Sequence, residues 1–198
     1  MNLLLALVGG YLLGSLSFAV ITSRLMGLAD PRTYGSGNPG ATNVLRSGSK
    51  KAALLTLAFD ALKGFVPVWL CALLGQTEMV AAAAGLAAFV GHLWPVFFRF
   101  QGGKGVATAA GVVFGLNPML GVAVLASFAL IVAFSRYVSL ASMVAACFAP
   151  FFQALIWGLS PAVWALLAMA ALLVWRHQAN IERLLAGTES QLGKKKAP

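Results

Sequence analysis

Long apolar blocks alternate along this chain with short segments that are polar and positively charged. Residues 3–22 form the first block and contain no charged side chain. As a helix rising about 1.5 Å per residue, a block of this length matches a bilayer hydrocarbon core of about 30 Å. The pattern predicts an all-α, polytopic integral membrane protein. The predicted spans of this single membrane-embedded domain, residues 1–198, are about 3–22, 52–76, 79–98, 105–116, 119–135, 137–157 and 160–176.

The number of crossings depends on residues 105–135, which could cross the membrane once or twice. A single helix over this block would be about 46 Å long, and the Asn117–Pro118 pair offers a break near its middle. Cytoplasmic loops collect Lys and Arg, and two crossings place all but one of the 14 basic residues at one face. We therefore predict seven transmembrane helices, with the amino terminus outside and the carboxyl terminus in the cytoplasm. The basic residues at that face are Arg24, Arg32, Arg46, Lys50, Lys51, Arg99, Lys104, Arg136, Arg176, Arg183 and Lys194–Lys196.

The block at 105–116 is too short to cross the membrane unaided. We expect a tilted or partly re-entrant helix whose amino terminus directly follows the sequence GGKG. Broken helices of this kind line cavities, and their free N–H groups bind anions. The last segment, residues 177–198, is predicted to be a cytoplasmic amphipathic tail.

The composition supports the membrane assignment. Hydrophobic residues make up 60% of the chain and charged residues 10%, whereas soluble proteins have about 45–50% apolar and about 25% charged residues. A cleaved signal peptide is disfavoured because the first block lacks a basic start. Cys71 and Cys147 lie in apolar runs and are interpreted as core residues rather than a disulfide or metal ligands. The net charge of +9 suits anionic headgroups or substrates, and nucleic acid is not an expected partner.

Residues 35–46, GSGNPGATNVLR, begin with the G-x-G-x-x-G pattern of nucleotide-binding loops. A dinucleotide site would follow a strand and use an acidic residue about twenty positions later, where Asp60 stands. Here the segment follows a membrane helix, and Asp60 shares a helix face with Lys63 inside a predicted span. These two residues are expected to neutralise each other, so a nucleotide site is excluded. The kinase and Walker A patterns are incomplete as well.

The glycine pattern still suits phosphate, because successive backbone N–H groups can form a concave nest. Arg46 can hold a phosphate through two parallel hydrogen bonds, and a second segment, FQGGKGVAT, places Lys104 near the same face. We interpret the two loops as walls of one phosphate cavity. For VLRSGSKK alone, an ordinary interface loop that only sets topology is the simpler interpretation. The short donors of the first loop are Ser36, Asn38, Thr42 and Asn43.

Two further cytoplasmic segments could complete the cavity. Ser139 and Ser142 enter a predicted span, and His177 and Asn180 share a face of the amphipathic tail. His177 would titrate near neutrality and could act as a base or a donor. The simpler interpretation is that the serines pack between helices and that the histidine is solvated. His92 is expected to cap or pack a helix.

Three motifs in this order, GSGNPGATNVLR, GHLWPVFFRFQGGKGVATAAG and HQANIERLLAGTE, resemble those of the PlsY family. This is the family of bacterial acyl-phosphate:glycerol-3-phosphate acyltransferases, and the resemblance covers essentially the whole chain. It implies a seven-helix enzyme of the bacterial cytoplasmic (inner) membrane with its active site facing the cytoplasm. The implied reaction moves a fatty acyl group from acyl phosphate to glycerol-3-phosphate, which gives lysophosphatidic acid and phosphate and begins phospholipid synthesis.

The resemblance also implies roles for individual residues. Lys104, Ser142, His177 and Asn180 are the expected catalytic residues, and no cofactor or metal is implied. The expected partners are the two substrates, the lipid bilayer and an enzyme that supplies acyl phosphate. Acyl phosphate is expected to bind Ser36, Gly37, Asn38, Gly40, Thr42, Asn43, Gly103 and Gly105, and glycerol-3-phosphate to bind Arg46, Lys104, Ser142, His177 and Asn180.

The expected mechanism needs no covalent intermediate with the protein. An acyl phosphate is already activated, so positioning of the hydroxyl and stabilisation of the oxyanion could supply most of the rate. The hydroxyl proton would pass to a phosphate oxygen or be relayed near His177 and Asn180, and the identity of the base stays open. A small anion or phosphate transporter is the alternative function. It is disfavoured because the spans carry few charges beyond Asp60, Lys63 and His92.

Overall fold

The computed structural model describes residues 2–193, and every regular element in that range is a helix. The all-helical prediction is therefore confirmed; Lys194–Lys196 lie outside the described residues. Short 3₁₀ turns at Leu45–Ser47 and Val96–Phe98 connect longer elements. The helices are α1 Leu3–Gly14, α2 Phe18–Leu25, α3 Ala41–Val44, α4 Lys50–Leu73, α5 Glu78–Leu93, α6 Val106–Leu116, α7 Pro118–Ser135, α8 Val138–Trp157, α9 Pro161–Arg176 and α10 Gln178–Leu185.

Several of these helices meet the length and hydropathy of a membrane span. Four do so alone: α4, α5 with its 3₁₀ extension, α7 and α8. Two bent pairs qualify when each is taken as one span: α1 with α2, bent by 41°, and α9 with α10, bent by 58°. Helix α6 is apolar but short, as predicted. The chain is a multi-pass membrane protein by these criteria, and the count of seven stays a prediction.

The first predicted span is not one continuous helix. It breaks between Gly14 and Phe18, and the carbonyl of Leu16 in the break accepts a hydrogen bond of 2.6 Å from Lys63 Nζ. This donor comes from α4 and satisfies a backbone group that the break leaves free. The break therefore depends on a tertiary contact.

Glycines allow the short helix α6 to lie directly against α4. A Cβ on Gly111 of α6 would lie 1.9 Å from Ala61 O, and one on Gly64 of α4 would lie 2.1 Å from Thr108 O. Small residues at such contacts let helix backbones approach closely in a membrane protein. Cys71 is buried in the bundle, but Cys147 is exposed, so the core assignment was wrong for Cys147.

Contacts between loops show which helix ends lie together. Ser160 Oγ donates to Glu78 Oε1 at 2.7 Å, which joins the start of α9 to the start of α5. At the other end of α5, Gly103 N–H donates to His92 O at 3.2 Å. Leu192 N–H donates to Arg136 O at 2.8 Å, which places the turn between α7 and α8 beside the carboxyl-terminal segment.

Candidate active site

Asn43 organises the first glycine loop, residues 35–46. Its side chain is 2% exposed, and Oδ1 accepts hydrogen bonds from Ser36 N–H at 3.0 Å and from Arg46 Nη1 at 3.4 Å. Nδ2 donates to Pro31 O at 2.6 Å and to Tyr34 O at 3.1 Å. Because both polar atoms are used within the loop, Asn43 fits a role in holding the loop better than its predicted contact with phosphate.

The rest of the first loop presents its predicted ligand groups outward. Gly35 and Gly37 have φ values of +61° and +66°, a left-handed region that favours glycine. A Cβ on Gly35 would lie 2.3 Å from Asn43 Oδ1, so a side chain there would displace the loop. Ser36, Gly37, Thr42 and Arg46 are exposed, and Asn38 and Gly40 are half-buried.

The second glycine loop, residues 101–105, is clamped by Arg176 at the end of α9. Arg176 Nη2 donates to Gly102 O at 2.9 Å and Nε donates to Gly103 O at 3.2 Å. Gly105 has a φ of +83° and precedes α6. Gly103 and Gly105 are buried, and Gly103 N–H is already bonded to His92 O. The buried glycines thus fix the backbone on either side of Lys104.

Lys104 reaches from the second loop to the amphipathic helix α10. Its ammonium donates to Asn180 Oδ1, which joins two predicted site residues that are far apart in sequence. Burial, and then the positive charge of Arg183, lower the pKa of Lys104 to about 8, and Arg176 and Arg46 act in the same direction. The Glu189 carboxylate opposes them. Lys104 is therefore mostly charged at pH 7 but close to its titration.

Glu189 is the hub of this network and was not among the predicted site residues. Oε1 accepts hydrogen bonds from Asn180 Nδ2 at 2.6 Å and from Ser139 Oγ at 2.7 Å. Oε2 accepts from Arg183 Nε at 2.7 Å. Burial alone would raise the pKa of Glu189, but these hydrogen bonds together lower it. The available signals were that it is one of five acidic residues in the chain and that it ends the motif HQANIERLLAGTE.

His177 is neutral at physiological pH. Nδ1 lies 2.7 Å from Leu173 O, so Nδ1 carries the hydrogen and Nε2 keeps a free lone pair. Burial lowers the pKa of His177 to about 4, although the bond to Leu173 opposes this shift. The prediction that His177 titrates near neutrality is therefore wrong, and its Nε2 suits the role of a hydrogen-bond acceptor.

The two serines of α8 have different surroundings. Both are buried, but only Ser139 bonds to Glu189. Ser142 Oγ donates to Val138 O at 2.8 Å within its own helix, so it can still accept a hydrogen bond from a substrate hydroxyl but would have to rotate to donate to a phosphate.

The assembled groups suit an anion that carries phosphate. Arg46, Arg176, Arg183 and the Glu189 carboxylate all lie close enough to Lys104 to shift its pKa, so positive charges outnumber negative ones around Lys104. Charge-assisted hydrogen bonds to phosphate are among the strongest in proteins. Within residues 2–193, no group of His, Cys, Asp and Glu side chains could hold a metal ion.

Comparisons with known proteins all identify the same family. Residues 4–187 match the family described as glycerol-3-phosphate acyltransferase. A Burkholderia ambifaria protein named glycerol-3-phosphate acyltransferase is 58% identical over 198 residues, which cover 99% of this chain and 93% of that protein. A Burkholderia pseudomallei protein of the same name is also 58% identical, over 99% of this chain and 98% of that protein.

Two crystal structures of PlsY, described as an integral membrane glycerol 3-phosphate acyltransferase, have the same fold. The glycerol 3-phosphate form aligns with a TM-score of 0.92 and 40% identity, over 98% of this chain and 96% of the other. The lysophosphatidic acid form gives a TM-score of 0.90 and 39% identity over the same shares of the two chains.

Proposed function

This chain belongs to the glycerol-3-phosphate acyltransferase family, and on that basis we propose that it acylates the 1-hydroxyl of sn-glycerol-3-phosphate with acyl phosphate as donor. The products are 1-acyl-glycerol-3-phosphate, which is lysophosphatidic acid, and inorganic phosphate. This is the first acylation of bacterial phospholipid synthesis. The observation that carries the proposal is the convergence of Lys104 on Asn180 and Glu189 beside the first glycine loop.

The two phosphate-bearing substrates bind to different groups of the two loops. The exposed part of the first loop, with Ser36, Gly37 and Thr42, binds the acyl phosphate through backbone N–H and hydroxyl groups. Arg46 and Lys104 bind the phosphate of glycerol-3-phosphate, and Lys104 is already held by Asn180. This arrangement brings the acceptor hydroxyl to the acyl carbonyl.

The reaction is a direct transfer. The 1-hydroxyl oxygen attacks the acyl carbonyl carbon, the bond from that carbon to the phosphate oxygen breaks, and the hydroxyl proton leaves with a phosphate oxygen. His177 accepts a hydrogen bond from the hydroxyl through Nε2 and so orients it. Because its pKa is about 4, His177 is a weak base at neutral pH, and a phosphate oxygen is the better proton acceptor.

We propose that the chain crosses the bacterial inner membrane seven times, with the active site facing the cytoplasm. Lys104, before α6, contacts Asn180, and Arg136, after α7, contacts Leu192. Both contacts involve the segment after α9, which supports one common side for the two ends of the α6–α7 unit. Since α7 has the length of a full span, α6 must then cross as well.

The test uses the purified protein with acyl phosphate and labelled glycerol-3-phosphate. Labelled lysophosphatidic acid is expected with acyl phosphate and not with acyl-CoA or acyl carrier protein, and Lys104→Ala should lose activity. The matched control is Lys51→Ala, because Lys51 is an exposed lysine at the start of α4. Phosphate uptake into liposomes without any acylated product would instead establish the transporter.

A further inference from the structure

A charged cluster lies inside the helix bundle, and the proposed mechanism uses none of its groups. Asp60, Lys63 and His92 are only 3%, 2% and 7% exposed. Lys63 Nζ lies 2.8 Å from Asp60 Oδ1, and His92 Nδ1 lies 3.7 Å from the same oxygen. The ion pair confirms that Asp60 and Lys63 neutralise each other. Ionisable groups in membrane helices are expensive and usually functional, and neutralisation alone does not account for the pair.

His92 stands where the two glycine loops meet. A Cβ on Gly103 would lie 2.4 Å from His92 Nε2 and 3.0 Å from Pro39 O of the first loop. The ring of His92 and the carbonyl of Pro39 thus approach the same α-carbon. On the backbone side, His92 O accepts the Gly103 N–H, and a Cβ on Gly102 would lie 2.1 Å from that oxygen. The second loop has no free space on this side.

The cluster also connects the loop junction to the first span. Lys63 Nζ donates to Leu16 O at 2.6 Å, in the break between α1 and α2. The charges therefore link the break, α4, the end of α5 and both loops in one chain of contacts. On the other side of the second loop, Arg176 holds the carbonyls of Gly102 and Gly103. The second loop is held from two directions.

We propose that His92 is a positioning residue that sets the two glycine loops relative to each other, and that the Asp60–Lys63 pair orients its ring. Nδ1 lies 3.7 Å from Asp60 Oδ1, a charge contact beyond hydrogen-bond distance, and the ring edge that carries Nε2 faces the junction of Gly103 and Pro39. The proposal rests on the proposed function, because the first loop then holds the acyl phosphate while Lys104 of the second loop holds glycerol-3-phosphate, and the spacing of the loops affects the spacing of the substrates. His92 acts through the loops and touches no substrate.

The experiment replaces His92 with Phe, which keeps a planar ring but removes both nitrogens. In the purified, folded variant we expect kcat to fall by about 10- to 100-fold, since small misplacements of reacting groups have effects of this size. Hydrogen exchange at residues 36–40 and 102–105 should accelerate. Asp60→Asn should lower kcat in the otherwise wild-type protein but should cause no further fall in kcat when His92→Phe is present, because the effects of coupled residues are not additive.

The controls separate positioning from packing. Gln153→Leu alters another buried polar side chain, in α8, and should change thermal stability without changing kcat. If His92→Phe does not fold, the neutral double variant Asp60→Asn with Lys63→Met provides the same test. Wild-type kcat and loop exchange in a folded variant would overturn the proposal, even if its Tm falls. Absence of labelled lysophosphatidic acid from the wild-type reaction would overturn the proposed function instead, so the two failures are distinguishable.

Discussion

The charge of Lys104 should control the alkaline limit of activity. Its pKa is lowered to about 8 by burial and neighbouring cations, so Lys104 loses its positive charge as the pH rises above that value. Because we propose that the charged form binds phosphate, kcat/KM for glycerol-3-phosphate should fall about tenfold per pH unit well above pH 8. Lys104→Arg keeps a positive charge at these pH values, and its profile should stay flat. An identical alkaline limb in Lys104→Arg would contradict this assignment.

Titration of His177 should cause no fall in kcat/KM on the acidic side of the pH profile near physiological pH. With a pKa of about 4, it gains its proton only well below pH 5, and kcat/KM should not depend on its titration above that range. The phosphate monoester of the substrate titrates at about pH 6, so any limb there should persist in His177→Gln. Loss of the Nε2 acceptor should lower kcat/KM by about 10- to 100-fold, the equivalent of one hydrogen bond to a reacting group. A limb that disappears with His177 would refute the neutral assignment.

Glu189 should support both stability and the site. Glu189→Gln replaces a carboxylate that accepts three hydrogen bonds, and we expect a loss of about 2–3 kcal/mol in the free energy of unfolding. Because Glu189 raises the pKa of Lys104, its neutralisation should move the alkaline limb to lower pH. Glu182→Gln removes a charge from an exposed residue of α10 and should change neither property. Thermal melts in detergent and pH profiles measure the two effects.

Contacts between residues that are close in sequence could be predicted, and contacts that depend on the path of a loop could not. The Asp60–Lys63 pair follows from helical spacing alone, and the structure has it. The internal hydrogen bonds of Asn43 and the return of Glu189 to Asn180 depend on loop paths. That return follows the turn at Gly187, with a φ of +68°, and hydrophobic periodicity does not encode such a path.

At the scale of elements, the position of α6 should depend on its contact with α4. Gly111→Ala would place a methyl group 1.9 Å from Ala61 O, and the helices would have to separate. We expect a loss of about 1–3 kcal/mol in stability and a fall in activity, because α6 directly follows Lys104 and Gly105. Gly9→Ala is the control, since a Cβ there meets nothing within 4 Å. Equal Tm and activity in the two variants would show that the close contact is unimportant.

Helix boundaries were predictable where the signal was local. Asn117 and Pro118 predicted the start of α7, where the Asn117 side chain accepts hydrogen bonds from Met119 and Leu120 N–H and Pro118 occupies the first turn. The break in the first span falls at residues 14–17, Gly-Ser-Leu-Ser, and such residues occur at helix kinks, but the apolar pattern of residues 3–22 continues through it. It is held by Lys63 from another helix, and a hydropathy pattern cannot show such a contact.

At the scale of the whole molecule, charge placement and loop contacts together support the proposed seven-span topology. The basic residues predicted for the cytoplasmic side include Arg46, Lys104 and Arg176, and the last two belong to the same network of contacts. The join between Glu78 and Ser160 lies at the other end of α5. The contacts that Lys104 and Arg136 both make with the segment after α9 favour an even number of crossings between them.

Single cysteines can test this topology in spheroplasts, on a background in which Cys71 and Cys147 are replaced by Ala. A membrane-impermeant maleimide should label Thr77→Cys, Met119→Cys and Leu159→Cys from outside, because these positions lie at turns predicted to be external. Lys51→Cys and Arg136→Cys should react only after permeabilisation. If α6 enters and leaves on one side without crossing, Met119→Cys will be protected and Arg136→Cys labelled from outside. That exchange of labels would exclude seven spans, because α7 would then start at the cytoplasmic face.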